Sequence, residues 1–212
     1  MAYDLEEQEQ IAALRAWWKQ YGNLVVFALL AVSLAFAAFE GWRYWQRTQA
    51  AGAAAVYGEV QKALRANDAK RVRDLAGTLI DKYPRTVYAS LGALLSAKAA
   101  FTSGDAKTAR VQLQWVVDNA KDPEIEAVAR LRLATVLLDE KAYDDALKVI
   151  AAVPAGGAFD GIVAALKGDI LAAKGATAEA RAAYKAALDK TERSEPGARE
   201  ALQMKLDALG AG

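Results

Sequence analysis

The chain lacks cysteine and histidine altogether. That double absence removes disulfides, thiolate nucleophiles, imidazole bases and the usual Cys/His zinc sites together. Freedom from cysteine is compatible with an oxidising compartment without proving one. Aromatic residues make up only 8% of a composition that is 54% hydrophobic, so the apolar content is mostly alanine and leucine, which favours helices. A net charge of +1 lacks the basic excess of a nucleic-acid-binding surface. No cofactor or metal is expected.

One apolar run stands out. From Tyr21 to Phe39 nineteen residues carry no formal charge, and as a helix they extend roughly 28 Å, close to a bilayer's hydrocarbon core. Leu24 to Phe39 holds ten Leu, Val or Phe, five Ala and one Ser, with no proline. Trp17, Trp18 and Tyr21 precede the run, and Trp42, Tyr44 and Trp45 follow it, so four of the five tryptophans border this segment. Aromatic residues at both ends mark the two membrane interfaces. A buried core helix is rarely apolar all round for five turns. A cleavable signal has a small-x-small step at Ala35-Phe36-Ala37 in its favour, but the leader before the run carries Asp4, Glu6, Glu7 and Glu9 where a signal begins short and positive. The run therefore reads as an uncleaved single span over 21–45, preceded by an acidic tail over 1–20. Arg15 and Lys19 on one side balance Arg43 and Arg47 on the other, and charge leaves the orientation open. Leu5, Ile11, Leu14 and Trp18 give the tail an amphipathic pattern whose acidity argues against attraction to anionic lipid.

Beyond Trp45 the chain is punctuated at Asn67-Asp68, Tyr83-Pro84, Gly104-Asp105, Asp122-Pro123, Pro154 to Gly157, Lys174-Gly175 and Glu195-Pro196-Gly197. Gly and Pro end helices, and Asp and Asn start the next. Between breaks the apolar residues follow helical spacing: Ala109, Leu113, Val116; Ala146, Ile150, Val153; Ala180, Tyr184, Ala187. Ala76 with Ile80 and Tyr83 supplies an earlier copy, at intervals of 33, 37 and 34 residues, the tetratricopeptide period. In the best copy, LKGDILAAKGATAEARAAYKAAL, Gly168, Leu171, Ala180, Tyr184 and Ala187 hold the packing positions, small residues letting the two helices approach and Tyr184 filling the gap beyond them; in the other copies Ala97 and Ala134 replace the glycine. The fold expected is all-α: a single N-terminal transmembrane helix, then a tetratricopeptide-like α-solenoid over 46–212. It has about four helical hairpins, opening with Thr48 to Ala66, and a C-terminal capping helix through Leu202, Leu206 and Leu209.

Candidate chemistry is sparse. Asp139, Glu140, Asp144 and Asp145 cluster at a turn, where they suit helix capping better than metal binding or acid/base work. Lys70, Arg71 and Arg73 read as a solvated face, and Gly156-Gly157 as a turn. The chain is therefore read as no enzyme. Stacked hairpins offer a concave surface lined by their first helices. Inward positions are Leu94, Lys98, Phe101; Val128, Leu131, Thr135; Ile162, Ala165, Asp169. Leu94, Leu131 and Ile162 read better as core, while Lys98, Thr135 and Asp169 are the groove candidates.

The chain resembles the YfgM family, the ancillary subunit of the bacterial SecYEG translocon. The resemblance is carried by EEQEQ (Glu6 to Gln10), Tyr21-Gly22, GWRYWQ (Gly41 to Gln46), RLRLA (Arg130 to Ala134), LKGDILAAKG (Leu166 to Gly175) and LQMKL around Gln203. It implies a bacterial inner-membrane protein with a cytoplasmic tail and a periplasmic tetratricopeptide-like domain. The implied partners are SecYEG, the membrane-anchored prolyl-isomerase-type chaperone PpiD, and exported precursor chains. A scaffold that organises envelope complexes without touching nascent chains is the rival expectation.

Overall fold

The computed structural model describes residues 2–191 and 196–210, with side chains from Glu9 onward. The side chains of Asp4, Leu5, Glu6 and Glu7, and the break residue Glu195, lie outside it. The described residues form helices and no strand: α1 (Ala2–Arg65), α2 (Ala69–Lys82), α3 (Val87–Thr102), α4 (Ala106–Asn119), α5 (Pro123–Asp139), α6 (Tyr143–Ala151), α7 (Asp160–Lys174), α8 (Thr177–Lys190) and α9 (Pro196–Ala208). They divide into two units, Met1–Gln49 and Ala50–Gly212.

In the first unit α1 is long and apolar enough to cross a membrane. Its large apolar residues, Leu24, Phe27, Leu30, Leu34 and Phe36 among them, are exposed along the run. The aromatic residues group at the two ends as the sequence suggests. Trp17 stacks near Trp18 and Tyr21 at ring separations of 6.3 and 5.8 Å, and Trp42 near Trp45 at 5.3 Å. Tyr44 is exposed beside the second group.

The second unit is a stack of helical hairpins, and its local signals are those read from sequence. Asp68, Asp105 and Asp122 each accept backbone N–H groups at the start of α2, α4 and α5, with Pro123 at the first turn of α5. Within the hairpins, Asn67, Gly104, Lys141 and Gly175 all adopt positive φ, at intervals of 37, 37 and 34 residues. This left-handed residue ends the first helix of each hairpin and turns the chain into the second.

The turns correct the register of the first copy. In phase with them, the rungs are Val72, Ala109, Ala146 and Ala180, all wholly buried, followed four residues on by Ala76, Leu113, Ile150 and Tyr184. The expectation of Ala76 in the first rung was one turn late. Here the small and large residues are exchanged, so a small-then-large template slides by four. Leu79, not Ile80, is consequently the fully buried large side chain of α2.

Three apolar clusters run through the stack. The first joins Ala53, Val60 and Ala63 of α1 to Val72 and Leu79 of α2 and Ala89 of α3. The second runs from Ala93 in α3 to Ile170 in α7, and contains the packing residues Ala109, Leu113, Ala146 and Ile150. The third gathers Leu171, Ala180, Tyr184 and Ala187 with Leu202 of α9, and Leu206 and Leu209 pack on it as the expected cap. Trp115 contacts the first and second clusters, and Leu147 the second and third.

Gly168 and Gly92 each leave room for a large side chain of a neighbouring helix. A Cβ at Gly168 lies 2.5 Å from the ring of Tyr184, so α7 and α8 touch only because the side chain is absent. The same holds for Gly92 against Leu79 Cδ1, also at 2.5 Å. α6 has 9 residues where α2, α4 and α8 have 14. The loop after it, with Pro154 and the positive-φ Gly156, is held when the Gly156 N–H donates to Asp160 at 3.0 Å.

Gly168→Ala should destabilise the domain by about 1–3 kcal/mol through overpacking. In a Tyr184→Ala background the same change should turn neutral or stabilising by up to about 1 kcal/mol, because only helix propensity is left. Denaturant unfolding of the double-mutant cycle measures this. Asp105 is held below the usual carboxylate range by hydrogen bonds from Thr108, and further by the nearby charges of Arg73 and Lys107. A depressed folded-state pKa contributes stability that is fully present above the unfolded value, about 4, and is lost as pH falls through the folded value. Asp105→Ala should therefore lower the Tm at neutral pH, and the gap from the parent should narrow below about pH 4, followed by circular dichroism.

Candidate functional site

The first helices of successive hairpins lie side by side: α3 contacts α5, and α5 contacts α7. Between α3 and α5 opens a cleft of about 310 Å³, lined by Ala97, Lys98 and Phe101 of α3, Leu113 of α4, and Arg132, Thr135 and Val136 of α5. Leu113 and Val136 are buried and form its floor, while Phe101 is 38% exposed at its rim. Lys98 and Thr135, expected as groove residues, are thus brought together. Thr135 Oγ1 donates to Leu131 O at 3.0 Å, which leaves its lone pairs available. Lys98 also borders a second cleft of about 390 Å³ with Leu64, Asn67, Asp68 and Thr102. Asp68 is already engaged there, accepting the Arg71 N–H at 2.9 Å.

Asp169 stands elsewhere. It accepts from the Tyr184 hydroxyl at 2.7 Å and from Lys205 Nζ at 2.7 and 2.9 Å, tying α7 to α8 and α9. Burial, with the hydrogen bond to Asp169 second, holds the Tyr184 hydroxyl protonated well above its usual range. Lys205 also lies 5.9 Å from the Tyr184 ring centroid. The spacing that placed Asp169 on the inward face missed this tie, because Tyr184 and Lys205 lie 15 and 36 residues away. Leu94 and Leu131 are core as expected, but Ile162, in the first turn of α7, is 55% exposed. Arg132 is the cleft residue the sequence reading passed over; its spacing of i, i+3 from Thr135 on one helix face was the available signal.

Charge elsewhere in the unit is used for stacking. Arg73 of α2 approaches Asp105 at 3.9 Å, Arg110 of α4 approaches Glu140 at 3.3 Å, and Asp144 of α6 receives Lys174 at 2.5 Å. In each, an early residue of a second helix reaches the turn of the following hairpin. Arg181 of α8 repeats the device by donating to Leu209 O and Gly210 O beyond α9. The carboxylate cluster is therefore partly consumed: Glu140 and Asp144 are stacking contacts. Of the basic run, Arg73 joins the same ladder.

Residues 15–211 match the model of the tetratricopeptide repeat-like domain family. The ancillary SecYEG translocon subunit of Neisseria gonorrhoeae is 33% identical over 210 residues, 99% of this chain and 100% of its own length. The chain belongs to the YfgM family of ancillary SecYEG translocon subunits. Family proteins of the same description from Haemophilus influenzae and Escherichia coli K12 are each 29% identical, over 99% and 96% of this chain and 100% and 96% of their own. Among solved structures, MamA from Desulfovibrio magneticus RS-1 aligns with a TM-score of 0.55 at 18% identity, over 74% of this chain and 92% of that one. A MamA RS-1 double mutant aligns with the same TM-score at 20% identity, over 74% and 93%. That likeness is one of fold.

The cleft residues and the core residues should separate in stability measurements. Lys98→Ala and Arg132→Ala should change unfolding free energy by no more than about 0.5 kcal/mol, whereas Leu113→Ala should cost about 2–5 kcal/mol. Thermal and denaturant unfolding of the three variants checks this.

Proposed function

We propose that this chain is a non-catalytic, membrane-anchored adaptor of the Sec translocon. Residues 1–20 form a cytoplasmic tail, 21–45 cross the bacterial inner membrane, and 46–212 form a periplasmic domain. That domain binds the prolyl-isomerase-type chaperone PpiD, emerging precursor chains, or both, through its first-helix face. Family membership supports the translocon association. The observation that carries the binding role is the α3–α5 cleft, where two cations and a half-buried phenylalanine surround a preformed apolar floor. A preformed helix face binds with little ordering cost of its own. The ion pairs of Glu140 and Asp144 favour a stacking role over acid/base chemistry for that cluster.

A photoreactive phenylalanine analogue at position 101, installed in the full chain in living cells, tests this reading. The expected adducts contain translocon, chaperone or precursor; adducts of the chain with itself alone would favour the envelope scaffold instead. Protease added to spheroplasts should digest residues 46–212 from outside, and digestion only after cell lysis would overturn the orientation.

A further inference from the structure

We propose that the α3–α5 cleft selects acidic peptide segments, specifically a large apolar side chain flanked by carboxylates. The proposal rests on the adaptor reading above and names the chemistry of the occupant. Across the chain 27 basic residues face 26 acidic ones, so no general excess of positive charge accounts for the cleft. The asymmetry is local. Arg73, Arg110, Lys174, Lys190 and Lys205 each meet a carboxylate on another helix or its turn, and Arg130 meets Glu126 within α5. Lys98 and Arg132 meet none among the described residues, and no carboxylate lines their cleft.

Each component of the cleft has a complementary group. Arg132 presents a planar fork of donors suited to two carboxylate oxygens, and Lys98 a mobile point charge. Thr135 Oγ1, whose proton is committed to Leu131 O, accepts and so matches a peptide N–H. Ala97, Phe101, Leu113 and Val136 receive an apolar side chain, and removing its surface from water supplies non-directional affinity. A basic segment meets two like charges at the same place and is rejected.

The test uses the full chain in nanodiscs of zwitterionic lipid and fluorescence anisotropy with three labelled peptides. Each has one phenylalanine, flanked by aspartate and glutamate, by asparagine and glutamine, or by lysine. The acidic peptide should bind about tenfold more tightly than its amide counterpart, with affinity falling as salt rises. Phe101→Ala should weaken it severalfold. Lys98→Glu combined with Arg132→Glu should abolish binding of the acidic peptide and create binding of the lysine peptide, a gain that a misfolded variant cannot show. Equal affinity for the acidic and amide peptides, or a doubly reversed variant that still prefers the acidic one, overturns the proposal. Groove adducts in cells combined with equal peptide affinities overturn charge selection and leave the adaptor standing. Acidic preference without any cellular adduct does the reverse.

Discussion

Two helices joined by a turn of two or three residues can bury only part of their apolar surface against each other. The remaining face must be covered by the next hairpin, and the whole domain follows from that requirement. The left-handed residues Asn67, Gly104, Lys141 and Gly175 set the return of each hairpin. The small rungs Ala109, Ala146 and Ala180 let the helices approach closely enough for Leu113, Ile150 and Tyr184 to be enclosed. Because Trp115 and Leu147 each belong to two clusters, no hairpin owns its core. Stability is shared along the stack, and α9 closes the end that would otherwise face water.

Electrostatics is divided between two tasks. At the hairpin turns, charges from one hairpin are matched by the next, through Arg73 and Asp105, Arg110 and Glu140, and Asp144 and Lys174. These pairs are exposed, so each contributes little energy, but unlike charges at successive steps favour one stacking register over others. In the α3–α5 cleft there is no such match: Lys98 and Arg132 meet no carboxylate among the described residues, beside the apolar floor of Leu113 and Val136.

Much of this was legible in the chain. The apolar run with tryptophans at both ends, the aspartate caps, the Gly and Pro breaks and the 33-to-37-residue period are local signals, and local signals survive without coordinates. The register of the first hairpin was less legible. A valine stands in its small rung and an alanine in its large one, so a template built on the later copies shifts by one helical turn. Gly168 and Tyr184 could be placed among the packing residues from sequence because the best copy contains both, but their direct contact, like that of Gly92 with Leu79 from different hairpins, came only from the structure.

By itself, then, the sequence determined one membrane-length helix followed by stacked hairpins, because length, apolar periodicity and turn residues act over short distances. Tertiary structure decided which side chains remain free. Lys98, Thr135 and Asp169 occupy comparable inward positions in the repeat pattern, yet Asp169 is taken by Tyr184 and Lys205, whereas Lys98 and Thr135 share an open cleft with Arg132. The difference lies in contacts made across helices, and a helical period specifies a face without specifying what that face meets.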